Sequence, residues 1–330
     1  LRRNDENMLL ASKWDPADGI VDETPRPRHH SAMLWFLSDL VSLARNGWFG
    51  YANPEPLIPP ENLQAMLDGV AKTTMNAFGP SDVVAAGSTR DLGEFLGAVG
   101  WYGTHAGSAD LRSMAGDYAD ALAASVEANM TEGGRVEGGT ANQAATQGAV
   151  VQGLLWASQV DGVDHVGTAE SALKYLLETL WDEAAGTFAS GIDDSIYRIT
   201  ARDAADVTGA INAADAVLDR TAVRDVYAQF YNQTFNRGRL QRAERPPSRD
   251  AEAEFPLPLP PDAGGEHGQS AVYNAAVEYD PGADQWTVTD ARFDTAQSLY
   301  LANQDIWLGQ WGGDFFRGRG VPGRTDEPPA

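Results

Sequence analysis

The stretch Trp14-Asp15-Pro16-Ala17-Asp18-Gly19-Ile20-Val21 returns later in the chain as Trp181-Asp182-Glu183-Ala184-Ala185-Gly186-Thr187-Phe188. In both copies an aromatic–aspartate pair enters a turn, a glycine closes it, and an apolar residue leaves it. Each copy follows a leucine-bearing helical end, Leu9-Leu10 in one case and Leu176-Leu177 in the other. A looser version, YDPGADQWTV, runs from Tyr279 to Val288. Turn-forming stretches rich in Gly, Asn or Pro also sit at 76–81, 129–136 and 235–240. Six such turns, about 45–65 residues apart, have the spacing of a two-helix repeat.

Helical periodicity fills the intervals. Met33, Phe36, Leu37, Leu40, Leu43 and Ala44 recur at i, i+3 and i+4, which predicts a helix over 32–46. Further helices are predicted at 62–78, 91–102, 109–129, 144–160, 169–181, 203–218, 221–235 and 294–311. One β-hairpin is expected, AVYNAAVEY at 271–279 and QWTVT at 285–289, joined by Asp280-Pro-Gly-Ala-Asp284. Within each helical pair the first member is rich in small residues and tryptophan (Gly93, Gly97, Gly100 and Trp101; Gly148, Gly153 and Trp156), whereas the second is more charged. That asymmetry predicts an inner layer of closely packed helices and an outer layer facing water.

The helix, WD-x-x-x-G turn and Gly/Ala-rich helix order resembles the (α/α) toroid proteins, among them six-hairpin glycosidases and N-acylglucosamine epimerase-like enzymes. The resemblance implies an all-α fold, an (α/α) toroid of about five to six helical hairpins with one β-hairpin near the C-terminus. Residues 1–311 are read as a single toroid domain. It includes a proline-rich loop at 241–268 and the hairpin at 271–289, and an extended Gly/Pro-rich tail follows at 312–330. The sequence departs from a full ring at both ends: the first helix of repeat one is missing or lies before Leu1, and the sixth repeat holds a hairpin where a helix belongs.

Composition limits the rest. The chain has 330 residues, 47 acidic against 24 basic side chains and a net charge of −23. Lys13, Lys72 and Lys174 are its only lysines, the other cations being arginine. This balance resembles proteins of extremely halophilic archaea, whose surfaces stay folded where molar salt screens like charges within about 3 Å. It argues against nucleic acid as a partner, because phosphate would be repelled. Cysteine is absent, which removes disulfides and thiolate chemistry. No apolar run reaches the roughly 20 residues of a membrane span, and an extracellular or cell-surface location is expected.

No nucleophile elbow, phosphate loop or zinc-protease motif is present, and neither a metal nor a cofactor is called for. The resemblance places acid and base carboxylates where inner helices begin. The candidates there are the pairs Asp91 with Glu94 and Asp203 with Asp206, each three apart on one helical face. Glycoside hydrolysis needs two carboxyls about 5–9.5 Å apart, which facing helices can supply; aspartates at helix starts equally serve as caps. His30, Trp35, Trp101, Gln147, Trp156, Asp294 and Gln297 are candidates to contact a ligand, the tryptophans either by stacking on sugar rings or as core filling. Arg237, Arg239, Arg242, Arg245 and Arg249 gather at the proline-rich loop and suit a contact with carboxylates that survives salt. Two functions follow: a toroid that binds or processes carbohydrate, or a non-catalytic subunit whose helices form a scaffold that docks through the arginine loop and the tail.

Overall fold

A computed structural model describes residues 9–45, 58–220, 222–242 and 273–308, with the side chains of 305–308 left aside. The chain opens with a short hairpin, β1 (Lys13–Asp15) and β2 (Gly19–Asp22), leading into α1 (Pro27–Arg45). Then come α2 (Pro60–Ala77), α3 (Pro80–Ala86), α4 (Thr89–His105) and α5 (Ala109–Glu127). α6 (Gln143–Ala157) and α7 (Val166–Tyr175) follow, the latter running on as a wider π-type turn to Leu180. β3 (Trp181–Asp182) pairs with β4 (Thr187–Phe188), and β5 (Tyr197–Thr200) leads into α8 (Ala201–Leu218). α9 (Val223–Phe230) also ends in a π-type turn, and β6 (Ala276–Asp280), β7 (Gln285–Asp290) and α10 (Thr295–Leu308) complete the described chain.

Two layers result. α1, α4, α6, α8 and α10 pack side by side in that order as an inner arc, while α2, α5, α7 and α9 each cover one inner helix from outside. The inner helices all point the same way: Trp35 meets Gly97, Gly93 meets Ala149, Gly148 meets Asp206, and Gln152 meets Gln304. Glycine sets the spacing. A Cβ on Gly93 would lie 2.6 Å from the Ala149 carbonyl, and one on Gly148 would lie 2.7 Å from the Asp206 carbonyl oxygen. Cβ-bearing residues there would therefore push α4 and α8 away from α6. Leu96, Val99, Val150, Leu154 and Ile211 fill the seams and are fully buried. Among the described residues, no packing of comparable extent joins α10 back to α1, so the arc has two flanks.

The repeated turns are the structural joints. Both WD segments are antiparallel hairpins in which Trp14 pairs with Ile20 and Trp181 pairs with Phe188. The stretch at 129–136 is a third, closed by a Met130–Val136 bridge. All lie at the end where inner helices begin. The β1–β2 hairpin is tied to α1 by Leu10 N–H donating to His30 Nε2, and the β3–β4 region by Gln143 N–H donating to the Ser190 carbonyl at the head of α6. The predicted C-terminal hairpin is present but is the larger part of a three-stranded sheet, β5-β6-β7. The first predicted strand is shorter than 271–279, and α3 stands partly where only a turn was expected. The proline-rich loop, beyond its first two residues and before Tyr273, and the tail from 309 lie outside the described residues.

A buried arginine–carboxylate clasp at the toroid mouth

α4 and α8 begin with the same local design. Ser88-Thr-Arg-Asp-Leu-Gly-Glu94 opens one and Thr200-Ala-Arg-Asp-Ala-Ala-Asp206 opens the other. In each, the Ser or Thr hydroxyl caps the helix by accepting from the backbone of Asp91 or Asp203. That aspartate reaches back to the cap's own N–H, at 2.9 Å in both helices. Asp91 and Asp203 are thus caps, as one reading of the sequence allowed.

The arginines then cross over. Arg90, on α4, donates from Nη1 to Asp203 Oδ1 at 2.7 Å and from Nε to Asp206 Oδ2 at 2.6 Å. Arg202, on α8, donates from Nη2 to Glu94 Oε1 at 2.6 Å and to Asp91 Oδ1 at 2.8 Å. Each helix therefore gives its second-position guanidinium to the third- and sixth-position carboxylates of the other. α10 joins the same floor: the Tyr300 hydroxyl donates to Asp206 Oδ1 at 2.8 Å, and the Arg202 N–H donates to Gln297 Oε1 at 3.3 Å. Asp294 caps α10 through the Gln297 N–H at 3.0 Å. All four candidate carboxylates, with Asp294 and Gln297, are brought to one place.

The clasp is graded from floor to rim. Asp206 is fully buried and Arg90 nearly so, whereas the Arg202 and Asp91 side chains keep 25% and 29% of their exposure. Four carboxylates face two guanidinium groups, so the buried charge is not balanced. Burial pushes Asp206 up to about 8, against the pull of the Arg90 charge. Burial likewise raises Tyr300, with the Asp206 charge adding to it. Burial also raises the Asp91 carboxyl, but hydrogen bonds from Arg202 and Ser88 outweigh it and hold that group below its ordinary value. Burial works against the Arg202 cation, but the charges of Glu94 and Asp206 together with the hydrogen bonds to Asp91 and Glu94 outweigh it, so its cationic form is strengthened.

The geometry bears directly on hydrolysis. Asp91 and Glu94 touch one nitrogen of Arg202 from two sides, and Asp203 and Asp206 are bridged by Arg90. In each pair a guanidinium links the two candidate acid and base groups. Carboxylates held in this way brace α4 against α8.

The other candidates lie elsewhere. His30 is buried where α1 begins, its Nδ1 at 2.9 Å from the Arg26 carbonyl and its Nε2 accepting from Leu10 N–H; burial lowers its pKa, the carbonyl contact offsetting part. Trp35, Trp101 and Trp156 form a buried column deeper in the arc, with centroids 6.3 and 5.0 Å apart in succession, and Trp101 donates to Asp39 at 2.8 Å. All three are buried, with Trp35 stacked on Trp101 and Trp156 tilted against it, as suits core filling. Gln147 corrects the expectation of a ligand contact. It is fully buried, its amide donating to the Gly134 and Ala172 carbonyls and accepting from Val136 N–H and from Gln143. Of the arginine cluster, Arg237 pairs with Asp284 at 2.9 Å, Arg242 binds Asn274 and the Ala291 carbonyl, and Arg239 is exposed with a φ of +59°. Arg245 and Arg249 lie outside the described residues. Arg202 and Tyr300 are the functional-looking residues that sequence reasoning did not single out; the matched Ser/Thr-x-Arg-Asp-x-x-Glu/Asp openings were the available signal.

The arrangement of parallel inner helices, outer covers and hairpin joints matches a solved structure described as a sugar epimerase from a ruminal bacterium. The TM-score is 0.58 at 12% identity, over 94% of this chain and 77% of that one. The fold is that of a helical (α/α) toroid. No protein-family model matches the chain, and no curated protein matches it in sequence. Among the described residues no helix is long and apolar enough to cross a membrane.

Proposed function

We propose that the chain binds carbohydrate at the mouth of the toroid, on the rim of the arginine–carboxylate clasp, without using the four carboxylates as hydrolytic acid and base. The observation that carries this is the graded clasp itself. Its floor is locked by Arg90, Asp203, Asp206 and Tyr300, while partly exposed Asp91, Arg202, Asp294 and Gln297 offer fixed donors and acceptors beside one another. Prepositioned polar groups of both kinds suit the hydroxyls of a sugar ring, since none has to reorganise on binding. The excess of carboxylate at the site favours neutral or amino sugars over sugar acids. The fold shared with a sugar epimerase supports a carbohydrate ligand. The lysine-poor, acidic surface supports work in a salt-rich, extracytoplasmic setting.

The test is calorimetric titration of the protein in molar salt with a panel of neutral, amino and acidic monosaccharides and disaccharides. Binding of neutral or amino sugars is expected. It should weaken about fivefold in Gln297→Ala, the loss of one hydrogen bond worth about 1 kcal/mol. No heat from any sugar, or binding that ignores Gln297, would contradict the proposal. The alternative, a non-catalytic subunit docking through its arginine loop, draws on exposed Arg239 but loses Arg237 and Arg242 to pairs within the chain.

A further inference from the structure

α1 opens with Pro27-Arg28-His29-His30, and its first turn carries no acidic residue. The amide dipoles of a helix gather positive charge at this end, so an imidazolium is disfavoured there. His30 is buried, and its hydrogen bonds fix its tautomer. Nε2 lies 2.9 Å from the Leu10 nitrogen, and a backbone amide can only donate, so Nε2 carries no hydrogen. Nδ1 faces the Arg26 carbonyl at 2.9 Å and therefore carries the ring's one hydrogen. A second proton would have to sit on Nε2, pointed at the Leu10 N–H. Phe78, set edge-to-face with 5.0 Å between ring centroids, offers the ring no polar partner.

We propose that neutral His30 latches the β1–β2 hairpin to the head of α1, and that protonation of its ring releases the hairpin. The charged groups nearby give an imidazolium no anion to pair with. Arg26, Arg28 and His29 adjoin it in the chain, and Asp22, on β2, is taken by Arg26 at 3.3 Å and by the Thr24 N–H at 3.0 Å. On α4, Arg90 and Asp91 are committed to the clasp. Among the described residues no carboxylate bonds the His30 ring. His29 differs. Ser12 Oγ gives its hydrogen to the Thr24 carbonyl, so in the 3.4 Å contact with His29 Nδ1 the ring is the donor, and protonation leaves that contact intact. Burial holds His30 below its ordinary 6.5, the Arg26 carbonyl offsetting part. The latch is therefore complete above that value and is lost as pH falls through the ring's lower value in the fold. The hairpin stands at the end where the inner helices begin, so acid loosens the α1 side of the toroid mouth; the clasp, on α4, α8 and α10, has no part in the latch. The inference does not depend on the carbohydrate reading.

Hydrogen–deuterium exchange of the full chain in molar salt tests it, read by mass spectrometry at pH 7.5 and pH 5 and expressed as protection relative to the intrinsic rate at each pH. Protection of residues 9–22 should fall at least about fivefold on acidification, the worth of one hydrogen bond, while α5, at 109–127, keeps its own. His29→Gln should respond as the parent chain does. In His30→Gln, whose amide oxygen can accept from Leu10 but takes up no proton, the pH response should vanish. The imidazole ¹H–¹⁵N spectrum of the unaltered chain reads the tautomer without any replacement: hydrogen on Nδ1 alone at pH 7.5, and a second on Nε2 as protection is lost. Hydrogen on Nε2 at pH 7.5 would overturn the proposal. So would protection of 9–22 that does not change with pH, or a pH response that survives in His30→Gln.

Discussion

Replacing Arg90 by methionine keeps most of the side-chain volume and removes the charge that holds two carboxylates of another helix. Arg90 is 5% exposed and bonds Asp203 at 2.7 Å and Asp206 at 2.6 Å, with Asp206 wholly out of solvent. Removing one partner of a buried pair leaves an uncompensated charge, which costs about 3–5 kcal/mol. In a chain of this size that lowers the melting temperature by roughly 4–7 °C. The loss should depend on pH. Asp206 is already pushed up to about 8 by burial, and without Arg90 it moves higher, so at pH 5 it stays neutral and the penalty shrinks. Arg202→Met is the internal comparison. Its partners are partly solvated, so the expected loss is about 1–2 kcal/mol. Urea unfolding in molar salt at pH 5 and pH 9 measures both variants. A loss below about 1 kcal/mol for Arg90→Met at both pH values, or a larger loss for Arg202→Met, would refute the view of the clasp as a buried brace.

Four further outcomes are expected. Because the folded Asp206 holds a proton that the unfolded chain releases near 3.8, its contribution to stability is full below that value and declines as pH rises towards about 8; Asp206→Asn should flatten this part of the melting-temperature profile. Asp91, depressed in the fold, acts in the opposite sense, its contribution being present above 3.8 and lost as pH falls through its lower folded value, an acid limb that Asp91→Asn should remove. Gly93→Ala should destabilise by about 1–3 kcal/mol in a denaturant titration although alanine is the better helix former, because its Cβ would lie 2.6 Å from the Ala149 carbonyl. Transfer from molar to millimolar salt should lower both the helical circular dichroism signal and the melting temperature, since 47 acidic side chains are then unscreened; unchanged values would end the halophilic reading.

Much of this fold is visible in the sequence for physical reasons. Long amphipathic helices carry a 3.6-residue period over several turns, and the helices predicted at 109–129 and 203–218 stand at Ala109–Glu127 and Ala201–Leu218. The glycine-rich inner helices announced a close approach of neighbours, which Gly93 and Gly148 now make specific. Short elements were not legible. β5 is four residues, Tyr-Arg-Ile-Thr, too few to show alternation, and its strand character comes from pairing with β6, far along the chain. α3 is seven residues long and carries too little apolar periodicity to register. For the site, the aspartates at helix starts were readable, but their partners were not. Arg90 with Asp206 and Arg202 with Glu94 are separated by more than a hundred residues, and nothing local specifies which cation meets which anion. Tryptophans 35, 101 and 156 suit both core filling and sugar stacking by residue type, and their burial favours packing.

The central claim, that sugars meet the rim of the clasp while its floor serves as a brace, is tested most directly by the arginine Nε–Hε resonances in a ¹H–¹⁵N spectrum. Arg202 sits at the rim, Arg90 in the floor, and Arg224, on outer helix α9, is paired with Asp215. Titration with the sugar that binds best should shift the Arg202 signal progressively and to saturation, leaving Arg224 in place and Arg90 displaced little. Saturable shifts at Arg224 with a silent Arg202, or no shift at any arginine, would contradict the account.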